Sequence, residues 1–160
     1  MSIRKIFNDP IYGLVTFPSD EKAYRSLTLS WFRNSPLWNS LQTLAEKDIK
    51  LFITTDHGTI RVNNPSKVLA DRETTTNLRY KVGKNLNYNK KDVMDAVDPH
   101  KVGLPRPNIS SKFIFATEDK FFLYPNNYNH YNRMYTDTFQ HGGISMEEMI
   151  CPFINLNCKT

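Results

Sequence analysis

The 160-residue sequence predicts an α/β fold, and two observations carry that prediction. Two helical segments run directly into an apolar, β-branched strand, which is an order of elements typical of α/β domains. Further along, the segment KFIFATEDKFFLYP places two apolar runs on either side of Glu118 and Asp119. Such a pattern predicts a β-hairpin over residues 111–124.

The first helix begins after residues 19–20, where Ser19 or Asp20 can act as the N-cap. Its apolar stripe recurs at positions i, i+4 and i+8: Ala23, Leu27 and Trp31. Ser35 and Pro36 then end this helix and begin a second one, since Pro is favoured at the first helical position. The second helix is expected to bury Leu37, Leu41, Leu44 and Ala45.

Most of the chain after the helix pair is expected to form strands. The segment DIKLFITT predicts one strand, TIRVNNP a second, and residues 77–82 a third. A short helix is expected over residues 91–97, and helical turns are expected over residues 130–135 and 145–150. The long stretch of residues 66–110 has little continuous apolar pattern, and the chain contains no internal repeat.

Composition predicts a cytoplasmic protein. No apolar stretch reaches the ~18 residues that a membrane span requires, and no signal peptide is visible. The two cysteines, Cys151 and Cys158, have a spacing that matches no common zinc or redox motif, so two free thiols in a reducing compartment are expected. The net charge of +5 is compatible with anionic partners and equally with an ordinary solvated surface.

The stretch LFITTDHGTI places Asp56 and His57 at the end of a predicted strand. In α/β folds, ligands and catalytic groups collect just beyond the carboxyl ends of the strands. A carboxylate and a neutral imidazole suit a divalent metal of the zinc type, and His141, also followed by glycine, is a third candidate. The alternative is that each histidine only makes local hydrogen bonds, because short motifs often occur by chance.

From Asp20 onward the chain resembles the C-terminal part of a PglZ domain, a branch of the alkaline phosphatase superfamily. It is most similar to PglZ domains that serve as the output module of a bacterial response regulator in two-component signalling. The segments that carry the resemblance are DEKAYRSLTLSWFRNSPL, ITTDHGTIRVNNPSKV, NLRYKVGKNLNY, LYPNNYNHY and TFQHGGISMEEMICPF.

The resemblance implies the C-terminal portion of an alkaline-phosphatase-like fold, with a mostly parallel sheet flanked by helices. It also implies a metal-dependent phosphoric ester hydrolase, with two divalent ions, zinc by preference, and a Thr or Ser nucleophile. By this resemblance Asp56 and His57 ligate one ion and His141 ligates its neighbour. The residues expected to add polar groups or positive charge for a phosphoric ester or nucleotide substrate are Arg72, Arg79, Lys81, Asn127 and Tyr128.

The sequence also departs from the PglZ pattern. The family's first metal-binding Asp, its nucleophile and a D-x-x-x-H pair lie upstream of the segment that corresponds to Asp20. Residues 1–18 instead resemble the start of an HD-domain phosphohydrolase, although the dipeptide His-Asp of that family never occurs. The predicted organisation is therefore an HD-like segment, 1–18, joined near residues 17–20 to a partial PglZ domain, 19–160.

Two functions remain open on the sequence alone. The chain is either a hydrolase, which works as a homodimer or with a complementing upstream half, or a non-catalytic remnant or binding module without hydrolase activity. Because the resemblance assigns this segment only part of the active site, whether the isolated chain is an enzyme is left undecided.

Overall fold

A computed structural model describes residues 21–71 and 73–157. The segment 1–18, the junction at 17–20, Arg72 and Cys158 lie outside the described residues. The described residues form two compact units: one runs to Leu51 and includes Leu156 and Asn157, and the other comprises Phe52–Asn155. No helix in the described part of the chain is long and apolar enough to cross a membrane.

The first unit contains the predicted helix pair, which is confirmed as α1 (Glu21–Arg33) and α2 (Pro36–Ala45). The predicted buried face of α2 is wrong, because Leu37, Leu41 and Leu44 are only half-buried and Ala45 is exposed. Ser35 is the N-cap of α2, and its hydroxyl accepts a hydrogen bond from the Trp38 amide at 3.4 Å. The Trp38 ring meets the Phe32 ring edge to face, with centroids 5.5 Å apart. Ser35 therefore ends one helix and begins the next, as its hydroxyl and the proline after it predict.

The strand before Asp56 is also confirmed, as β1 (Lys50–Thr54). It forms a two-stranded sheet with β10 (Phe153–Asn157). A second two-stranded sheet joins β2 (Ile60–Val62) to β9 (Thr138–Gln140) in antiparallel register. These two sheets matter for function because β1 leads to Asp56 and His57, and β9 leads to His141.

Two three-stranded sheets build the core of the second unit. In one, β3 (Asn64–Leu69) lies between β5 (Asn87–Tyr88) and β8 (Lys120–Leu123). In the other, β7 (Lys112–Ala116) lies between β4 (Tyr80–Gly83) and β6 (Val93–Ala96). The sheets contribute to one apolar cluster: Val68, Leu86, Ile114, Ala116 and Phe122.

The helices of the second unit are short. The predicted turns are confirmed as α3 (Tyr128–Tyr135) and α4 (Met146–Met149). Two 3₁₀ helices span Lys90–Asp92 and Pro99–Val102. The predicted α-helix over residues 91–97 is wrong, because residues 93–96 form β6 and pair with β7. A window this short fits either periodicity, and the available edge of β7 decides between them.

The predicted hairpin over residues 111–124 is also wrong. Strands β7 and β8 are consecutive in the chain but belong to different sheets. Both edges of β7 are occupied, by β4 and β6, so neither can accept β8. β8 pairs instead with β3, and the Phe122 amide donates to the Leu78 carbonyl at 2.7 Å.

The expected mostly parallel sheet is not what the second unit contains. Four of the described pairings, β2–β9, β3–β5, β4–β7 and β6–β7, are antiparallel, and β3–β8 is parallel. Parallel neighbours need a crossover of a dozen or more residues. The connection from β3 to β8 is long enough for such a crossover.

Candidate metal site

His57 lies in the loop after β1, and its ring is held by its own neighbour. The Nδ1 atom is 2.7 Å from the Gly58 carbonyl oxygen. Because a carbonyl only accepts, Nδ1 carries the hydrogen, and in the neutral ring Nε2 keeps a lone pair. Nε2 is buried and has no hydrogen-bond partner. Metal-binding histidines commonly show this arrangement, with one nitrogen bound to a backbone carbonyl and the other left for the metal.

The Asp56 carboxylate completes this half of the site. Its Oδ1 atom lies 3.7 Å from His57 Nε2, which is too long for a hydrogen bond. Two ligands of one zinc ion, each bound at about 2.0–2.2 Å, lie roughly 3–4 Å apart. The spacing and the donor types of Asp56 and His57 therefore fit one divalent cation.

His141 comes directly after β9 and lies against His57. The two imidazole rings are stacked, with centroids 3.8 Å apart and planes 13° from parallel. The side-chain Nδ2 of Asn77 donates to the His141 carbonyl at 3.4 Å, which ties the His141 backbone to the segment before β4. Residues 84 positions apart in the sequence are thus in contact, although periodicity and spacing did not predict the stacking.

A buried ion pair lies beside the two histidine loops. Arg79 Nε and Nη2 donate to Glu148 Oε1 and Oε2 at 2.9 and 2.8 Å. The side chains of Arg79 and Glu148 are only 0% and 1% exposed. Burial by itself raises the pKa of the Glu148 carboxyl, but hydrogen bonds from Arg79, Gly143 and Ser145 lower it below its usual value. The carboxylate therefore keeps its charge despite its burial.

Two glycines allow α4 to approach the histidine loops closely. A Cβ atom on Gly58 would lie 1.9 Å from the Glu147 carbonyl oxygen. A Cβ atom on Gly143 would lie 2.6 and 2.9 Å from the two oxygens of Glu148. The glycines that come after His57 and His141 are therefore required by packing against α4.

The sequence matches a known protein family. The profile of the BREX system PglZ alkaline phosphatase-like domain matches residues 18–156. The chain belongs to the PglZ family. No curated protein matches it. The match includes the Asp-His-Gly and His-Gly-Gly segments that the fold brings together, and it agrees with the resemblance found in the sequence.

Within this PglZ domain, the described residues contain no cluster of three or more His, Cys, Asp or Glu side chains poised to hold one metal ion. His57 lies 3.7 Å from Asp56 and stacks on His141, but the three side chains do not surround a common point. Near-parallel ring planes explain this, since a metal lies in the plane of the imidazole that binds it. Their assignment as metal ligands stays a prediction.

The residues predicted to contact substrate lie in different environments. Arg79 and Lys81 are fully buried, so neither presents a surface to a substrate in this structure. Asn127 is exposed and is the N-cap of α3, with a φ of 54°, and Tyr128 follows it as the first residue of the helix. The Tyr128 ring lies 4.7 Å beneath the Lys67 ammonium. Substrate contacts of Asn127 and Tyr128 stay predictions, and Arg72 lies outside the described residues.

Glu148 is the residue of the site that sequence reasoning missed. Glu147 and Glu148 lie at the start of the helical turn predicted over residues 145–150, where negative charge is favourable. Glu148 does form a capping box with Ser145, whose amide donates to its carboxylate at 3.2 Å. The S-x-x-E spacing was a signal for this cap. Nothing local indicated that the same carboxylate would bind Arg79, 69 residues away.

Proposed function

We propose that this PglZ chain carries part of a two-metal site for the hydrolysis of phosphoric esters, including nucleotides. Asp56 and His57 would hold one divalent ion, zinc by preference, and His141 would hold its neighbour. The observation that carries the proposal is the state of His57, whose Nε2 is buried, faces the Asp56 carboxylate and has no hydrogen-bond partner. An acceptor nitrogen beside a carboxylate is stabilised by a cation between them.

The stacking of the two imidazoles argues against one ion shared by both rings. A single ion cannot lie in both ring planes, because the planes are only 13° from parallel and the centroids are 3.8 Å apart. Two ions, one for each ring, are compatible with this geometry.

The chain's own contribution is to hold and orient these ligands. When bound, such a metal pair supplies charge stabilisation for an in-line displacement at phosphorus and lowers the pKa of the nucleophile. The Gly58 carbonyl fixes the tautomer and orientation of His57. Further ligands and a Thr or Ser nucleophile would come from the upstream part of a PglZ domain. A role as a response-regulator output domain is part of the same proposal.

A second candidate is a non-catalytic binding module that keeps the metal ligands without turnover. One observation favours it. Arg79 and Lys81 are buried, so two of the cations expected to bind a phosphate group lie in the core.

Zinc titration of the purified chain tests the metal proposal. Calorimetry should detect weak binding of Zn²⁺, because catalytic zinc sites normally have three protein ligands and each site here has fewer. His57→Ala should abolish the binding. His100→Ala, which changes an exposed histidine, is the matched control and should leave binding unchanged. Equal zinc affinity in the wild type and His57→Ala would rule out the site.

Activity distinguishes the two candidates. A nitrophenyl phosphodiester and a short oligonucleotide should not be hydrolysed above background by the 160-residue chain alone. Addition of the upstream half of a related PglZ domain should restore zinc-dependent turnover, and His57→Ala should remove it again. Tight zinc binding in the complemented protein without turnover of either substrate would favour the binding module.

A further inference from the structure

We propose that Arg79 and Glu148 are positioning residues, which hold the two histidine loops in contact so that His57 and His141 face the metal site together. The inference rests on the proposed metal site for its purpose. The contacts that support it are independent of any metal, because each is a hydrogen bond between described residues.

Glu148 holds the His141 loop through its side chain. The Gly143 amide donates to Oε1 at 2.9 Å, and the Ser145 amide donates to Oε2 at 3.2 Å. Gly143 is two residues from His141, and Gly142 between them has a φ of 101°. The carboxylate thus sets the path of the chain directly after the ligand.

Glu148 holds the His57 loop through its backbone. The Gly58 amide donates to the Glu148 carbonyl oxygen at 2.8 Å. The Gly58 carbonyl in turn accepts from His57 Nδ1. A single residue therefore contacts both loops, and any displacement of Glu148 would move the two imidazoles relative to one another.

Arg79 keeps Glu148 in place. Its guanidinium binds both carboxylate oxygens, and Nη1 donates to the Lys120 carbonyl in β8. The Arg79 amide and the Tyr80 amide donate to the Asn77 side chain at 2.7 and 3.2 Å, and Asn77 also contacts the His141 carbonyl. Bidentate Arg–carboxylate pairs restrict both partners in direction as well as distance. The strands of the core are thereby connected to both ligand loops.

Removing the charge of Glu148, and separately that of its exposed neighbour, tests the positioning role. Glu148→Gln and Glu147→Gln make the same change one residue apart, but Glu147 is exposed. NMR of the metal-free chain should show cross-peaks between the ring protons of His57 and His141 in the wild type and Glu147→Gln. We expect Glu148→Gln to lose them and to weaken zinc binding about 10–100-fold, as for other residues that orient metal ligands.

A paired variant keeps the test decisive if Glu148→Gln fails to fold. Arg79→Met with Glu148→Met removes both charges together, which a core tolerates better than an unpaired charge. We expect this variant to fold and still to lose the ring cross-peaks. If either folded variant keeps the cross-peaks, the positioning role is overturned. If the wild type shows the cross-peaks but binds no zinc, the metal proposal fails and the positioning role stands.

Hydrogen exchange in the wild type gives a measurement that needs no variant. The Gly58 and Gly143 amides are both bound by Glu148, so one opening of α4 should expose both. After correction for intrinsic exchange rates, the two amides should have the same protection factor. Protection factors that differ by more than about tenfold would show that the loops open independently and would overturn the inference.

Discussion

Arg79 and Lys81 are two residues apart, and both are fully buried, yet their surroundings differ in kind. The Arg79 guanidinium meets the Glu148 carboxylate, so one charge neutralises the other. The Lys81 ammonium meets only neutral groups in its described contacts: it donates to the Thr75 carbonyl at 3.0 Å and lies 4.3 Å from the centre of the Tyr124 ring. Burial alone does not tell what a cation contributes.

The two surroundings have opposite consequences. Around Arg79, the pair keeps its charges and connects loops, although a buried pair is seldom more stabilising than well-packed apolar residues. Around Lys81, burial lowers the pKa of the ammonium to about 8 from its usual 10.5. Lys81 lies opposite Ile114, a residue of the apolar cluster, so it carries charge at the border of the core.

The largest expected effect is at Arg79. Arg79→Met alone leaves the Glu148 carboxylate buried and unpaired, and it should lower the free energy of unfolding by about 3–5 kcal/mol. Urea denaturation monitored by circular dichroism measures this. Arg133→Met, which changes an exposed arginine in the last turn of α3, should stay within about 0.5 kcal/mol of the wild type. Equal losses in the two variants would contradict the contrast.

Lys81 should make the free energy of unfolding depend on pH. Its pKa is lower in the folded state, so between pH 8 and 10.5 the unfolded state binds more protons and stability rises with pH. A shift from 10.5 to about 8 corresponds to roughly 2–3 kcal/mol over that interval. Lys81→Met should remove this rise and be at least as stable as the wild type at pH 7. Lys84→Met, at an exposed position, serves as the control.

A difference between wild type and Lys81→Met that stays constant from about pH 7.5 to 10 would show that the folded protein does not lower the pKa of Lys81. The contrast between a paired and an unpaired buried cation would then be lost.

The smallest expected effect is at Tyr124. Its hydroxyl donates to the same Thr75 carbonyl at 3.0 Å, whereas its ring lies beneath the ammonium. Tyr124→Phe keeps the ring and removes one hydrogen bond, so it should cost about 0.5–1.5 kcal/mol. The rise in stability from about pH 8 to 10 should remain. Its disappearance in Tyr124→Phe would mean that the hydroxyl, and not burial, controls the pKa of Lys81.

Local patterns in the sequence were sufficient for part of the fold. The helix pair, its Ser35 cap, strand β1 and the turns at α3 and α4 result from periodicity and capping residues, which act over a few positions. Five segments spread along the chain from Asp20 onward were together sufficient to recognise the PglZ family, which the comparison with known families supports over residues 18–156.

Other features depended on partners distant in the sequence. The apolar runs of β7 and β8 predicted a hairpin, but β4 and β6 occupy both edges of β7. Likewise, Arg79 and Lys81 were predicted to be cations for a substrate, and neither their type nor their spacing indicated burial.

By itself the sequence determined the helix pair and the family, whereas its assignment of metal ligands stays a prediction. Only the tertiary structure decided that His57 stacks on His141, that Glu148 contacts both of their loops, and that Arg79 is its partner. The physical reason is the distance along the chain over which each kind of interaction acts. Capping and periodicity are set by neighbours within about one helical turn, whereas strand pairing and charge burial are set by segments that meet only when the whole unit has folded.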